Sequence, residues 1–307
     1  MKRNLIMTAM AVTAVLSVSC NKNLETDPLS QPSEPFRIYL SLAETKTVND
    51  GLSTKWVVED RLNIHYAKSE TNEYVSAGRF DIKDAETGRA EQYSGDAPVL
   101  DANATYDWYA FYRYNSNNSP AQTKMALPVG CKNTGSQTQT GNDNMAHIFG
   151  ANSNNNFFPL YGCAKGVPGS EFPTIIMKNV AALAEYKVTN SLDKDITITG
   201  ITLEGSNPLV GTVNVNYEQE EAVVSPKTTS NSAVLNVSEG TAIAPGASAC
   251  FYAGVIPGEQ TSLTVTVNVK DADGTVGSQV FTLTPAAPVI FRSGKIKTLA
   301  LPFSQAF

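Results

Sequence analysis

Positive charge is scarce in this 307-residue sequence, which has 23 lysine and arginine residues against 29 acidic residues and a formal net charge of -6. The basic residues are scattered along the chain. Nucleic-acid binding depends on clustered Lys and Arg that release counterions from the phosphates, so a nucleic-acid partner is excluded. Charged residues make up only 17% of the chain, below the usual quarter, while Asn, Ser, Thr and Gly are abundant. This composition favours an extracellular protein built of β-sheets.

Residues suited to catalysis are also few. The chain has two histidines, His65 and His147, and no metalloprotease, P-loop, dinucleotide-binding or G-x-S-x-G motif. We expect His65 to be a surface or interface imidazole because it lies on the strand face opposite Leu62 and Ile64. The sequence "DADG", Asp271–Gly274, lacks the third ligand position and the downstream glutamate of a calcium loop, and therefore predicts a hairpin turn. We expect no enzyme activity, no metal and no cofactor.

Cysteine is limited to four residues, of which Cys20 is discussed below. The other three are Cys131, Cys163 and Cys250, and their spacings match no zinc motif. Three cysteines allow at most one disulfide within the chain. Cys131 with Cys163 is the favoured pair if one forms, and three buried thiols that pack as small apolar side chains are an equal alternative.

The N-terminus carries an export signal. Lys2 and Arg3 precede an uncharged apolar run from Leu5 to Val18, which has the length of a signal-peptide core and is short for a permanent membrane helix. The small residues before Cys20 resemble the lipobox of bacterial lipoproteins, although the usual leucine lies one position early, at Leu16. We predict a signal peptide over residues 1–19 and lipid attachment at Cys20, which would anchor the chain to a membrane; an ordinary secretory signal is the alternative.

The rest of the chain divides into a tether and two predicted domains. Residues 20–35 contain three prolines and few apolar side chains, so they cannot bury a face and predict a flexible tether. About 287 residues follow the signal, enough for two cores, and we place the domains at 36–166 and 167–307. Between residues 115 and 156, Asn, Gln, Ser, Thr and Gly dominate, which predicts loops apart from a short apolar interlude at 125–129.

Strand patterns recur in both predicted domains. Alternating apolar residues predict a half-buried first strand at Phe36, Ile38, Leu40 and Leu42. The aromatic stretch 105–114 has large side chains on both faces, so both faces should be covered. Further alternation predicts strands from residue 182 onward, with a bulge at Gly200 and a hairpin around the "DADG" turn. Because no 3.6-residue period follows the signal, both domains are predicted to be all-β.

Several motifs, in order, resemble the fimbrillin family, the type V pilin-like lipoproteins of Bacteroidetes. The first is "ETKT" followed by "TKWVVEDRLNIHYA", and the second is "YSG" followed by the strand "YDWYAFYRYN". "LPVG", "MAHIFGA" and "FPLYGCAKG" follow, and the second half adds "KNVAALAEYKVTN", "ITGITLEG" and the closing "FRSGKIKTLALPF". The positions that match the family in the first half are Trp56, Asp60, Leu62, Tyr93, Ser94, Gly95, Tyr109, Ala110 and Tyr112.

The resemblance implies two tandem β-sandwich domains of transthyretin-like, Greek-key topology and a role as a cell-surface fimbrial subunit or adhesin at the outer membrane. It also implies assembly with other fimbrial subunits by β-strand exchange, after an arginine-specific protease removes a leading segment. The removable strand would be that of Phe36, Ile38, Leu40 and Leu42. The donor would be Leu299, Leu301 and Phe303, which could instead form the last strand of their own domain. Arg37 and Arg61 are the nearby arginines, and neither is assigned as the cleavage site.

Two other functions compete with this one. A glycan-binding surface lipoprotein of a nutrient-uptake system would use exposed aromatic side chains such as Trp56 and Trp108 to stack on sugars. For the adhesin role, by contrast, a host or bacterial surface molecule would be the ligand. An enzyme such as a glycosidase would need two carboxylates across a cleft, and among 29 acidic residues some pair always qualifies, so this hypothesis has no support from the sequence.

Overall fold

The computed structural model describes residues 35–42, 55–71, 73–116, 124–131, 135–141, 158–216 and 223–307. Within these ranges the chain is all-β, as predicted, and none of them contains a helix long and apolar enough to cross a membrane. The predicted signal peptide, Cys20, His147 and the "ETKT" motif lie outside the described residues.

The first half of the chain forms a closed barrel of seven strands. In the described ranges, the strands before residue 180 are β1 (Arg37–Leu42), β2 (Arg61–Lys68), β3 (Val75–Asp84), β4 (Arg89–Ser94), β5 (Thr105–Tyr112), β6 (Lys124–Val129), β7 (Ser136–Thr140), β8 (Leu160–Pro168) and β9 (Thr174–Asn179). All except β6 and β7 join the barrel, in the order β1-β4-β3-β2-β5-β8-β9. The expected first sandwich is therefore a barrel. The alternation of apolar and polar residues specifies which side chains point inward. This pattern is the same in an open sheet and in a closed barrel, so it does not distinguish the two.

The barrel is filled by apolar and aromatic side chains. Trp108 and Phe80 are among the largest fully buried residues, and they lie in one cluster with side chains from every barrel strand. β5 confirms the prediction of two covered faces: Tyr106, Trp108 and Ala110 point into the barrel, while Tyr109 and Phe111 belong to a separate apolar cluster outside it.

The second half contains four smaller sheets. Its strands are β10 (Ala182–Asn190), β11 (Ile196–Gly205), β12 (Val210–Asn216), β13 (Val224–Ser230), β14 (Ser232–Ile243), β15 (Ser248–Val255), β16 (Gly258–Gln260), β17 (Leu263–Lys270), β18 (Val276–Leu283), β19 (Val289–Phe291) and β20 (Ile296–Phe303). The sheet orders are β15-β10-β20, β18-β17-β11-β14-β7, β13-β12-β6 and β16-β19. Side chains from the first two sheets meet in one large buried cluster.

Two local predictions in the second half are confirmed. The register of β11 shifts between Ile198 and Gly200 against both neighbouring strands, which is the expected bulge. β17 and β18 form the expected hairpin, and Oδ1 of Asp271 accepts hydrogen bonds from the backbone N–H groups of Asp273 and Thr275. The aspartate therefore stabilises a turn through its own backbone neighbours.

The sheets cross the predicted domain boundary in both directions. From the first half, β6 pairs with β12 and β7 pairs with β14; from the second half, β9 pairs with β1 and β8. Residues Pro35–Phe307 belong to one compact unit. The division at residue 166 stays a prediction, but sheet membership does not follow it.

The expectation of loops between residues 115 and 156, which set the apolar interlude apart, is wrong for β7. β6 coincides with the apolar interlude, whereas β7 has the sequence SQTQT and no apolar side chain. Gln137 and Gln139 are buried at 1% and 0% exposure, positions where a strand normally carries apolar residues. Their amide groups hydrogen-bond to the backbone of β15, so a polar sequence can form this strand.

Candidate functional site

The candidate site is β1, the strand that the resemblance marks as removable. β1 lies between β4, with which it pairs antiparallel, and β9, with which it pairs parallel, and it thereby closes the barrel. The antiparallel register covers Arg37 to Tyr39 and the parallel register covers Tyr39 to Leu42. Only Tyr39 is paired on both sides. Each half of β1 is thus held mainly by one neighbour.

Additional hydrogen bonds hold the centre of β1. The Leu40 N–H donates to the Gly88 carbonyl at 2.9 Å, and Nε1 of Trp56 donates to the Leu40 carbonyl at 3.0 Å. The Gln92 N–H donates to the carbonyl of Phe36 at 3.0 Å. The Trp56 side chain therefore holds the β1 backbone in place. This contact gives a structural reason for the tryptophan in the motif "TKWVVEDRLNIHYA".

Gly88 makes room for this strand. It lies in the turn between β3 and β4 with φ of 68°, a conformation that favours glycine, and a Cβ atom there would lie 1.8 Å from the Leu40 carbonyl oxygen. The turn and β1 can approach this closely only without a side chain. Sequence reasoning missed Gly88, although the "ETGR" turn between two strand patterns offered a signal.

The side chains of β1 fill the barrel interior. Ile38 and Leu40 are buried at 0% and 1% exposure, and Phe36 and Leu42 pack against the same cluster from either end. The Phe36 ring stacks on Trp108 with centroids 5.2 Å apart. Fully burying an aliphatic side chain contributes about 1.5–3 kcal/mol, so β1 is a substantial part of the barrel core. All four predicted residues therefore meet in one slot.

The surface beside β1 is open at one end. A groove of about 560 Å³ runs along the end of the strand, lined by Leu40, Ser41, Leu42, Lys55, Trp56, Ala85, Glu86 and Thr87. Glu86 and Thr87 belong to the turn that contains Gly88. Solvent thus reaches the end of β1, whereas the centre of the strand is buried.

The proposed donor residues lie in the second half. Leu299, Leu301 and Phe303 alternate on β20 and are buried in the large cluster between the two main sheets. β20 pairs parallel with β10 along its whole length, from Leu183 opposite Ile296 to Asn190 opposite Phe303. In this chain β20 is the last strand of its own sheet. Donation to another chain stays a prediction.

Neither nearby arginine lies in a described loop. Arg37 is the first residue of β1 and pairs with Glu91. Arg61 is the first residue of β2, has an exposed side chain and pairs with Asp81, and its carbonyl accepts a hydrogen bond from the Tyr114 N–H. No arginine occurs between residue 42 and Arg61.

The aromatic and histidine candidates are buried. Trp56 and Trp108 are 7% and 1% exposed, so neither forms the exposed stacking platform that the glycan hypothesis required. His65 is fully buried and faces the Phe111 ring, with centroids 5.7 Å apart, so the expectation of a surface imidazole is wrong. Burial lowers the pKa of His65 to about 4, which keeps the imidazole neutral near pH 7.

The three cysteines in the described part of the chain are thiols and form no disulfide. The favoured pair, Cys131 and Cys163, does not form, and Cys250 is also a thiol. Cys131 is buried beside the Gly135 carbonyl, with Sγ 2.9 Å from the oxygen, and burial raises the pKa of its thiol. The alternative of thiols that pack as small side chains describes Cys131, while the other two are only partly buried.

Solved structures of two Bacteroides proteins share this fold. A candidate cell adhesion protein from Bacteroides uniformis matches with a TM-score of 0.54 and 15% sequence identity, over 87% of this chain and 93% of that protein. A candidate cell adhesion protein from Bacteroides ovatus matches with a TM-score of 0.53 and 15% identity, over 88% and 92%. No family model matches the sequence, and no curated protein matches it. At the level of fold, the match confirms the recognition made from the sequence motifs.

Proposed function

We propose that this chain is a lipid-anchored subunit of a cell-surface fimbria or an adhesin that assembles with other subunits by β-strand exchange. The observation that carries the proposal is the position of β1. It closes the barrel and fills its centre, yet each half of the strand is paired mainly on one side. The fold shared with two Bacteroides proteins that are candidates for cell adhesion supports the cell-surface role.

Removal of β1 would leave a slot that exposes both backbone groups and apolar side chains. The edges of β4 and β9 would expose unpaired backbone N–H and C=O groups, which an incoming strand can satisfy. The floor of the slot would expose Phe80, Ile82, Trp108, Ile175 and Met177, which now pack around β1. An incoming strand with apolar residues at every second position would replace both sets of contacts, and β20 has such a pattern at Leu299, Leu301 and Phe303.

The arginine positions restrict how β1 could leave. Cleavage after Arg37 would leave most of the strand in place, and the next arginine is Arg61. We therefore propose Arg61 as the processing site, with cleavage that separates β1 and Trp56 from β2. Loss of Trp56 would also remove the hydrogen bond to the Leu40 carbonyl. A single cleavage would therefore release β1 and remove the Trp56 side chain that holds it.

The test is to treat the purified chain with an arginine-specific protease and to follow its assembly. The expected result is loss of the segment ending at Arg61, verified by mass spectrometry, and multimers that resist heating in detergent. Arg61→Lys is the matched control because it keeps the positive charge and removes the cleavage site, so it should stay monomeric. A wild-type chain that is cut at Arg61 and remains monomeric contradicts the proposal. Equal assembly of the control contradicts Arg61 as the site.

A further inference from the structure

A second surface suited to protein association lies on β18, far along the chain from β1. β18 is the end strand of its five-stranded sheet and pairs with β17 on one side. Among the described residues no strand pairs with its other side. An end strand of this kind presents a row of backbone N–H and C=O groups that can pair with another chain.

The edges of two other strands, β15 and β13, carry protection against such pairing. The edge of β15 is covered by Gln137, whose side-chain amide accepts from the Gly254 N–H at 2.7 Å and donates to the Gly254 carbonyl at 2.9 Å. β13 carries Pro226 and Lys227, and a proline and a charge both disfavour edge pairing. β18, with the sequence VGSQVFTL, has neither a charged residue nor a proline. It therefore lacks the features that protect the edges of β15 and β13.

The exposed side chains of β18 are also unusual for a surface. Val276 is 77% exposed and Val280 is 59% exposed, and both point to the same face of the sheet. They lie two positions on either side of Ser278. In an antiparallel pair of two identical strands centred on Ser278, each Val276 would lie opposite the Val280 of the other copy. The sequence is thus complementary to itself about Ser278, as a two-fold interface requires.

The absence of charged residues on β18 allows an identical strand to approach it. No charged residue lies on the strand, so no like charges would face each other across the two-fold axis. The side facing the interior of the protein is already occupied. Oε1 of Gln279 accepts hydrogen bonds from the backbone N–H groups of Ser304 and Gln305, and the Phe307 ring packs against Gly277. A partner strand could therefore add only along the edge.

We propose that β18 pairs antiparallel with β18 of a second copy of this chain, about a two-fold axis through Ser278. Pairing would satisfy the edge of both sheets and cover the four valines. This contact uses neither β1 nor β20, and so it is independent of strand exchange. A single pair of strands buries less surface than a stable dimer needs, which predicts a weak contact that becomes populated when chains are concentrated on one membrane.

Disulfide trapping tests the pairing and its register. At the two-fold axis Ser278 would lie opposite itself with Cα atoms about 4.5–5.5 Å apart, within the range that a disulfide spans. Ser278→Cys in the full chain should therefore form a covalent dimer under mild oxidation. Thr282→Cys, on the same exposed face, would lie opposite Gly274 and should stay monomeric, and Val280→Cys would also face a different residue. The unchanged chain measures any background from its own thiols.

The outcomes of trapping separate the alternatives. Preferential dimerisation of Ser278→Cys supports the proposal. Equal dimerisation of Ser278→Cys and Thr282→Cys indicates random collision, and preferential dimerisation of Val280→Cys indicates a different register; both overturn it. Failure of every variant to dimerise at high concentration also overturns it. Because β1 stays in place throughout, none of these results depends on protease-driven assembly.

Charge substitutions give an independent readout without added cysteine. Val276→Lys combined with Val280→Glu would place Lys opposite Glu at both ends of the interface and should preserve the dimer measured by sedimentation at high concentration. Val276→Glu combined with Val280→Glu would place like charges opposite each other and should abolish it. Both double variants change only exposed positions, so both should fold. Identical sedimentation of the two would contradict the proposed register.

Discussion

β1 and β20 are both short apolar strands, but they are held in different ways. β1 has neighbours on both sides, and its two halves pair with different ones. β20 has one neighbour, β10, and pairs with it over its full length. Removing β1 would open a closed barrel and create a slot with two edges. Removing β20 would narrow a sheet that is already open and would expose part of the large buried cluster.

This difference in pairing indicates which of the two strands, β1 or β20, is suited to exchange. A slot with two edges offers an incoming strand backbone partners on both sides and a defined floor, which together fix its register. The site left by β20 would offer one edge only. In the proposed strand exchange, we therefore expect the barrel to be the acceptor and the second half to remain folded around its own cluster.

The largest effect should come from shortening the core side chain of each strand. Leu40→Ala on β1 and Leu301→Ala on β20 remove equally buried side chains, and each should lower the free energy of unfolding by about 2–5 kcal/mol. The two variants should differ in the region that loses protection against hydrogen exchange. Hydrogen exchange should accelerate at Tyr39 and Leu40 in the first variant and at the β10 residues facing β20 in the second.

Ser41→Ala serves as a control for the hydrogen-exchange measurement because Ser41 has an exposed side chain on β1. It should change neither the unfolding free energy nor the exchange rates by much. Equal acceleration of exchange in both regions after Leu40→Ala would show that β1 does not open separately. That result would remove the distinction between the two strands.

A smaller loss of stability, caused by overlap with β1, should follow substitution of Gly88. Gly88→Ala places a Cβ atom against the Leu40 carbonyl oxygen at a positive φ, and should lower the free energy of unfolding by about 3 kcal/mol. Gly274→Ala is the matched control: its φ is also positive, at 82°, but a Cβ there meets nothing within 4 Å. The control should cost only about 1 kcal/mol.

Denaturant unfolding of the two glycine variants gives the comparison directly, since their difference isolates the overlap with β1 from the cost of the turn conformation. Equal destabilisation would show that β1 shifts freely in its slot. Such freedom would argue that the barrel does not hold the strand in one position.

The strand patterns were predictable because alternation records which side chains face a core. Phe36, Ile38, Leu40 and Leu42 do fill one slot, and the two faces of β5 are covered as expected. Barrel closure was not predictable, since it depends on β1 meeting β9, more than a hundred residues away. β7 was missed because its buried positions are glutamines, and composition alone cannot show that their amides will find backbone partners in β15.

The smallest effect should come from this glutamine contact, which covers the edge of β15. Gln137→Leu keeps a side chain of similar size but leaves the N–H and carbonyl of Gly254 without their partner. Leaving buried polar groups unsatisfied costs about 1–3 kcal/mol, so the variant should unfold at lower denaturant concentration. The exposed edge of β15 should also increase association, measured by light scattering.

Gln279→Leu is the control for edge protection, because Gln279 binds backbone N–H groups of Ser304 and Gln305 that the structure leaves partly exposed. Water can replace its amide there, so the loss should be well under about 1 kcal/mol. If Gln137→Leu were as harmless as this control, the buried amide would not protect the edge of β15. The contrast between protected and open edges, from which the pairing of β18 was inferred, would then rest on the proline and lysine of β13 alone.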